Sequence, residues 1–219
     1  MRCGVVLFPG SNCDHDVYHV LKHVLEQDVV YLWHEETTLK ACDFIVLPGG
    51  WSYGDYLRGG AMAALSPVMQ SVREHAARGG PVLGICNGFQ VLTETRLLPG
   101  ALARNAGLKF ACKEVPLAIT NANTAFTRAY REQRETEIPI AHGDGRFVAD
   151  EDVLSRIEGE GQVVFRYLEN PNGSARDIAG IVNARGNVMG MMPHPERASD
   201  PVLGRTGGAA VFQSLMEAA

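Results

Sequence analysis

The chain has 219 residues, 46% of them hydrophobic and 21% charged, with a formal net charge of −5. These values fit an ordinary globule that buries a sizeable core, and they leave no basic stripe for nucleic acid. No apolar stretch approaches the ~18 residues of a membrane span, and the apolar N-terminal run is too short for a signal peptide.

In chain order, Gly4–Phe8 is a continuous apolar run stopped by Pro9-Gly10, the pattern of a strand buried on both faces. Asp14–Gln27 carries Val17, Val20, Leu21, Val24 and Leu25 at helical spacing. Val29–Trp33 and Asp43–Leu47 read as two further buried strands, the second closed by Pro48-Gly49-Gly50. A helix is expected over Ala61–Arg78, a strand over Pro81–Ile85 and a helix over Asn87–Leu98. Such alternation predicts a parallel, doubly wound sheet, whose ligand sites lie outside the carboxyl ends of its strands. Beyond residue 100 the pattern changes. Leu108–Thr120, Glu137–His142, Gln162–Leu168, Ile178–Ala184 and Val188–Met192 read as strands with no long helices between them. They predict an antiparallel extension of the same sheet, with Gly204–Glu217 as a closing helix. The expected fold is therefore α/β and three-layered. It has a mostly parallel open sheet flanked by helices with an antiparallel extension, in one domain over residues 1–219. Five scattered cysteines without a Cys-x-x-Cys argue against a disulfide framework or a metal site and point to reduced thiols in the cytoplasm.

Gly84-Ile85-Cys86-Asn87-Gly88 joins a strand to a helix in the layout of a nucleophile elbow. Small neighbours permit the sharp turn, and the first N–H groups of a helix favour a nearby anion or oxyanion. The competing reading is a buried core thiol in a glycine-rich turn. A nucleophilic Cys needs a base, and Pro193-His194-Pro195-Glu196 offers one. Proline on both sides is expected to keep the backbone extended, so that His194 and Glu196 share a face and the carboxylate orients the imidazole. An incidental ion pair on a surface loop is the alternative.

Other candidates carry less. His15, His19 and His23 repeat every four residues opposite the apolar face of the first helix, which predicts a solvated stripe rather than a metal site. His142 ends a predicted strand before Gly143, where a glycine-rich loop lines a pocket or simply turns. Gly50-Trp51-Ser52-Tyr53-Gly54 matches a serine-hydrolase motif, yet no helix follows at once, so Ser52 is not expected to be the nucleophile.

Gly84-x-Cys86-x-Gly88-x-Gln90, the later His194-x-Glu196 and the earlier Pro48-Gly49-Gly50 resemble the class I glutamine amidotransferase domain, which has a flavodoxin-like sheet. Phe8–Cys13, Pro48–Arg58, Ile85–Gln90 and Gly190–Arg197 are similar to strings of the glutaminase subunits of phosphoribosylformylglycinamidine synthases, apart from Trp51 in place of Phe; outside those strings, Asp144 stands where Glu is usual. The resemblance implies that glutamine is hydrolysed through a thioester on Cys86, with His194 and Glu196 completing a triad. It implies oxyanion donors at Gly50 and Asn87, and substrate contacts at Gly49, Gln90, His142 and Gly143. No Gly-Lys-Ser/Thr or Gly-x-Gly-x-x-Gly occurs, so no nucleotide motif is visible. The resemblance accordingly implies no cofactor in this chain. ATP and magnesium are expected on a large synthetase subunit, joined by a small accessory subunit. The Tyr53–Gly60 loop, including Arg58, is expected at that partner interface. A peptidase-like cysteine hydrolase on the same fold is the alternative.

Overall fold

Runs of aliphatic residues form β1 (Arg2–Leu7), β2 (Asp28–Trp33), β3 (Phe44–Leu47) and β4 (Val82–Ile85) in the computed structural model, which describes residues 1–217. Interleaved with them are α1 (Asp14–His19), α2 (Val68–Ala77) and α3 (Asn87–Glu94). The second half adds β5 (Ala101–Ala103), β6 (Ala111–Ile119), β7 (Glu135–His142), β8 (Arg146–Val148), β9 (Val163–Tyr167), β10 (Ile178–Val182) and β11 (Val188–Met191). Helices α4 (Glu151–Gly159) and α5 (Ala209–Met216) complete the described elements used below.

Nine strands form one sheet in the order β2-β1-β3-β4-β11-β10-β9-β6-β7. The pairings from β2 to β11 are parallel, and those from β11 to β7 are antiparallel. This is the mixed sheet flanked by helices that the alternation predicts. β3 and β4 are buried along their whole length, as apolar runs in the middle of a parallel sheet must be. One continuous cluster of buried side chains runs through both halves, anchored by Phe44, Phe89, Phe126, Phe147, Phe165 and Phe212. Each such ring contributes roughly 1.5–3 kcal/mol by leaving water.

Several elements depart from expectation. The first helix is α-helical only through His19 and continues as a π-helical turn over Val20–Val24. The Ala61–Arg78 helix is interrupted: Ser66 is extended, with ψ 143°, because Pro67 follows it, and α2 begins only afterwards. α4 was not expected from the sequence, because only Leu154 and Ile157 of its nine residues are buried and its apolar stripe is thin. The small β5–β8 sheet has no signature in the sequence, since three-residue strands carry no detectable period.

Candidate active site

β4 delivers Cys86 to the carboxyl edge of the sheet, at the N-cap of α3, with φ 50° and ψ −104°. A non-glycine residue in that region costs about 1–3 kcal/mol and persists only when its surroundings over-determine it. They do so here. The Cys86 N–H donates to Met191 O of β11 at 2.8 Å, and its carbonyl accepts from Gln90 N–H at 3.1 Å. Gly88 permits the turn: a Cβ there would lie 1.9 Å from the Leu47 carbonyl oxygen, so any side chain would push α3 off β3. The elbow is therefore built as the sequence implies.

His194 and Glu196 meet, but not through an extended backbone. Pro195–Ala198 is a 3-10 turn with His194 at its N-cap. The turn, not strand alternation, brings the carboxylate beneath the ring, and His194 Nδ1 lies 2.6 Å from Glu196 Oε1. Both residues are buried, and no partner for His194 Nε2 or Glu196 Oε2 is found among the described residues. Burial works against charge on His194, yet the Glu196 carboxylate and Cys86 outweigh it and hold the imidazole well above its ordinary value.

Gly49 exists for lack of space: a Cβ there would sit 2.7 Å from His194 Cε1 and 3.4 Å from Cys86 Cβ. Gly50 follows with φ +129° and lines the cleft. Asn87 opens α3, so its backbone N–H has no intrahelical acceptor. Its side chain is a brace, donating to Gln90 Oε1 at 2.8 Å and accepting from Ser52 N–H at 3.2 Å. Gln90 lines the cleft, with its amide donating to Asp144 O at 2.7 Å.

His142 and Gly143 reach the cleft from β7, five strand positions away from β4. In a flat sheet that separation would be about 24 Å at ~4.8 Å per strand. Instead the antiparallel extension folds back. His194 N–H donates to Pro139 O at 2.8 Å, and Cys86 Sγ lies 3.8 Å from Ala141 O.

The cleft also holds residues without an assigned role in the sequence reading. Cys13 Sγ lies within 4.8 Å of donor atoms of His194 and Glu196 and accepts from Arg197 Nη2 at 3.1 Å. Burial pushes the Cys13 thiol up. Both residues belong to the quoted strings, Phe8–Cys13 and Gly190–Arg197, but no spacing signal ties one to the other. Asp55 also faces the cleft, with Oδ1 accepting from Asn87 Nδ2 at 3.2 Å. Burial, then the charge of Asp144, push its carboxyl up to about 6. An unfolded Asp titrates near 3.9. The native state thus holds an extra proton between about pH 4 and 6, and stability falls as pH rises through that window. Asp55→Asn is expected to raise the Tm by roughly 3 °C at pH 7.5 and far less at pH 4; a larger gain at pH 4, in thermal scans at the two values, would contradict this.

His15, His19 and His23 are exposed as expected, and His19 pairs with Asp200 at 2.8 Å. Ser52 is buried at the start of a 3-10 turn, without a helix behind it. Arg58 is committed within the chain, donating from Nε and Nη2 to the Glu94 carboxylate at 2.6 Å each.

A cysteine at a strand–helix elbow with a buried His–Glu pair, on this mixed sheet, defines a glutamine amidotransferase-type domain. The model of the CobB/CobQ-like glutamine amidotransferase domain matches residues 1–206. A glutamine amidotransferase structure from Thermotoga maritima shares the fold at TM-score 0.60 and 18% identity, covering 100% of this chain and 97% of that one. The phosphoribosylformylglycinamidine synthase subunit PurQ of Trichormus variabilis is 59% identical over 99% of this chain and 97% of its own length. A chain of the structure of PurLQS from Thermotoga maritima superposes at TM-score 0.91 with 44% identity, covering 99% of this chain and 98% of that one. The chain belongs to the family of phosphoribosylformylglycinamidine synthase PurQ subunits.

Proposed function

We propose that this chain hydrolyses glutamine to glutamate and ammonia. The ammonia passes to an ATP-dependent synthetase subunit that converts formylglycinamide ribonucleotide into formylglycinamidine ribonucleotide in de novo purine biosynthesis. The observation that carries the reading is the buried His194–Glu196 pair beside the strained Cys86 elbow, in a chain so similar to PurQ subunits. Cys86 sulfur attacks the carboxamide carbon of glutamine, and His194 takes the thiol proton and returns it to the departing nitrogen. The C–N bond breaks, ammonia leaves and a γ-glutamyl thioester remains. Water, activated by the same imidazole, then releases glutamate. Glu196 keeps the hydrogen on Nδ1 and compensates the imidazolium that forms in each half-reaction. The oxyanion of both tetrahedral intermediates is assigned to the backbone N–H groups of Gly50 and Asn87, and Gly49, Gln90, His142 and Gly143 shape the glutamine site.

The partners are the large synthetase subunit, on which ATP and magnesium act, and the small accessory subunit. No cofactor is assigned to this chain, which we read as one amidotransferase domain working in the cytoplasm. No described helix is long and apolar enough to cross a membrane. The Tyr53–Gly60 loop remains our proposed edge of the synthetase interface. Tyr56 and Leu57 are exposed there, and the Arg58–Glu94 pair fastens the loop to α3.

Glutamate release, measured first on the isolated chain and then with both partner subunits and their substrates, tests the reading. Weak hydrolysis alone and a large rise in the complex are expected. Cleavage of peptides without cleavage of glutamine would instead assign the chain to the peptidase-like hydrolases.

A further inference from the structure

His142 is 3% exposed and lines the cleft that holds Cys86 and His194. Its Nδ1 lies 3.1 Å from Asn105 Oδ1. The orientation of Asn105 is settled by its remaining bonds. Its Nδ2 donates to the carbonyls of Lys109 and His142, both at 2.9 Å, and its Oδ1 accepts from Gly145 N–H at 3.1 Å. Oδ1 has no hydrogen to offer, so His142 Nδ1 must be the donor. A neutral imidazole carries one N–H, and Nε2 is left as a bare lone pair. Burial, followed by the nearby His194, pushes the ring down to about 4, so it stays neutral at physiological pH.

That lone pair has no donor among the described residues, in a buried position where an unmet acceptor is costly. His194 Nε2 is the other imidazole nitrogen of the cleft without a partner among the described residues, and the proposed chemistry gives that one a partner. Both rings line the same cleft. Ala141, whose carbonyl faces Cys86 Sγ, directly precedes His142. The ligand that suits a fixed acceptor in the cleft that holds the nucleophile brings an N–H close to the carbon under attack. The carboxamide of glutamine has two. The corresponding ester or acid anion has none.

We propose that His142 Nε2 accepts a hydrogen bond from the carboxamide nitrogen of the substrate and so makes the cleft selective for an amide over an ester on the same carbon skeleton. The inference rests on the glutaminase reading above and assigns one atom of its site. Asn105 is then a positioning residue: it holds the tautomer through Oδ1 and the 142–145 loop through Nδ2.

The test compares kcat/KM for glutamine and for glutamate γ-methyl ester in the assembled complex. His142→Phe, which removes both nitrogens, is expected to lower the amide-to-ester ratio by about 10- to 100-fold. His142→Gln, which can return a carbonyl acceptor, recovers part of that ratio. In ¹⁵N-histidine spectra of the wild-type chain, His142 is expected as the Nδ1–H tautomer with Nε2 unprotonated near neutral pH. An unchanged ratio in His142→Phe, an equal fall with both substrates, or an Nε2–H tautomer would overturn the proposal. If the wild-type complex left glutamine intact while cleaving the ester, the glutaminase reading itself would fail, and that result is distinct from the other three.

Discussion

Replacing Cys86 with alanine is expected to abolish glutamine-dependent synthesis by the assembled complex, by about 10⁴-fold or more, while synthesis from added ammonia stays near the wild-type rate. The first effect follows from the mechanism, because no other described thiol stands at a strand–helix elbow above a helix start. Cys13 is near the base, but it is locked between Arg197 Nη2 and Asn12 Oδ1 and is not placed at the start of α3. The second effect follows from the proposed division of labour, in which the synthetase subunit activates the amide oxygen of the acceptor. Alanine keeps the backbone strain at this position and removes only the sulfur, so the fold and the docking surface are preserved. Parallel assays with glutamine and with ammonium salt decide the matter. Equal loss in both would mean that Cys86 supports assembly rather than chemistry.

The second large effect is expected from Glu196→Gln. The carboxylate is buried against His194 Nδ1 at 2.6 Å. Gln is nearly isosteric but neutral, and it can present N–H where the imidazole needs an acceptor. That favours the wrong tautomer and leaves the imidazolium uncompensated. A fall in kcat of roughly 10²–10⁴-fold, with KM little changed, is the expected outcome. The pH profile supplies a separate signature. Glu196 is the main influence raising the His194 pKa, against burial, so its loss must lower that pKa. The limb of the rate profile that reports His194 is therefore expected to move to lower pH. A variant that loses rate without moving the limb would place Glu196 in a purely structural role.

Much of this site is legible in short stretches of chain. Gly84–Gly88 encodes the elbow because the turn is closed by its own residues and by the strand beside it. His194 and Glu196 are two residues apart, so their meeting needs only a local turn. The two meet as expected, but through a 3-10 turn rather than an extended run. Proline restricts its neighbours to a few conformations but does not choose between an extended run and a 3-10 turn, and packing against β7 and α5 chose the turn. The same limit explains α4 and the π-helical turn after His19. A helix with two buried residues has too thin an apolar stripe to announce itself, and an extra residue in a turn leaves the apolar spacing almost unchanged.

By itself, then, the sequence determined the strand–helix alternation, the Cys86 elbow, the meeting of His194 with Glu196, and the glycines at positions 49, 50 and 88. Each depends on neighbours within a few residues or on a simple hydrophobic period. Tertiary structure alone decided that β7 returns to Cys86, that Cys13 and Arg197 sit beside the base, and that Asn105 sets the tautomer of His142. Those arrangements join residues from 37 to 184 positions apart. They arise because the antiparallel half of the sheet brings the end of β7 to the carboxyl edge of β4, a balance of packing spread over the whole core that no local pattern records.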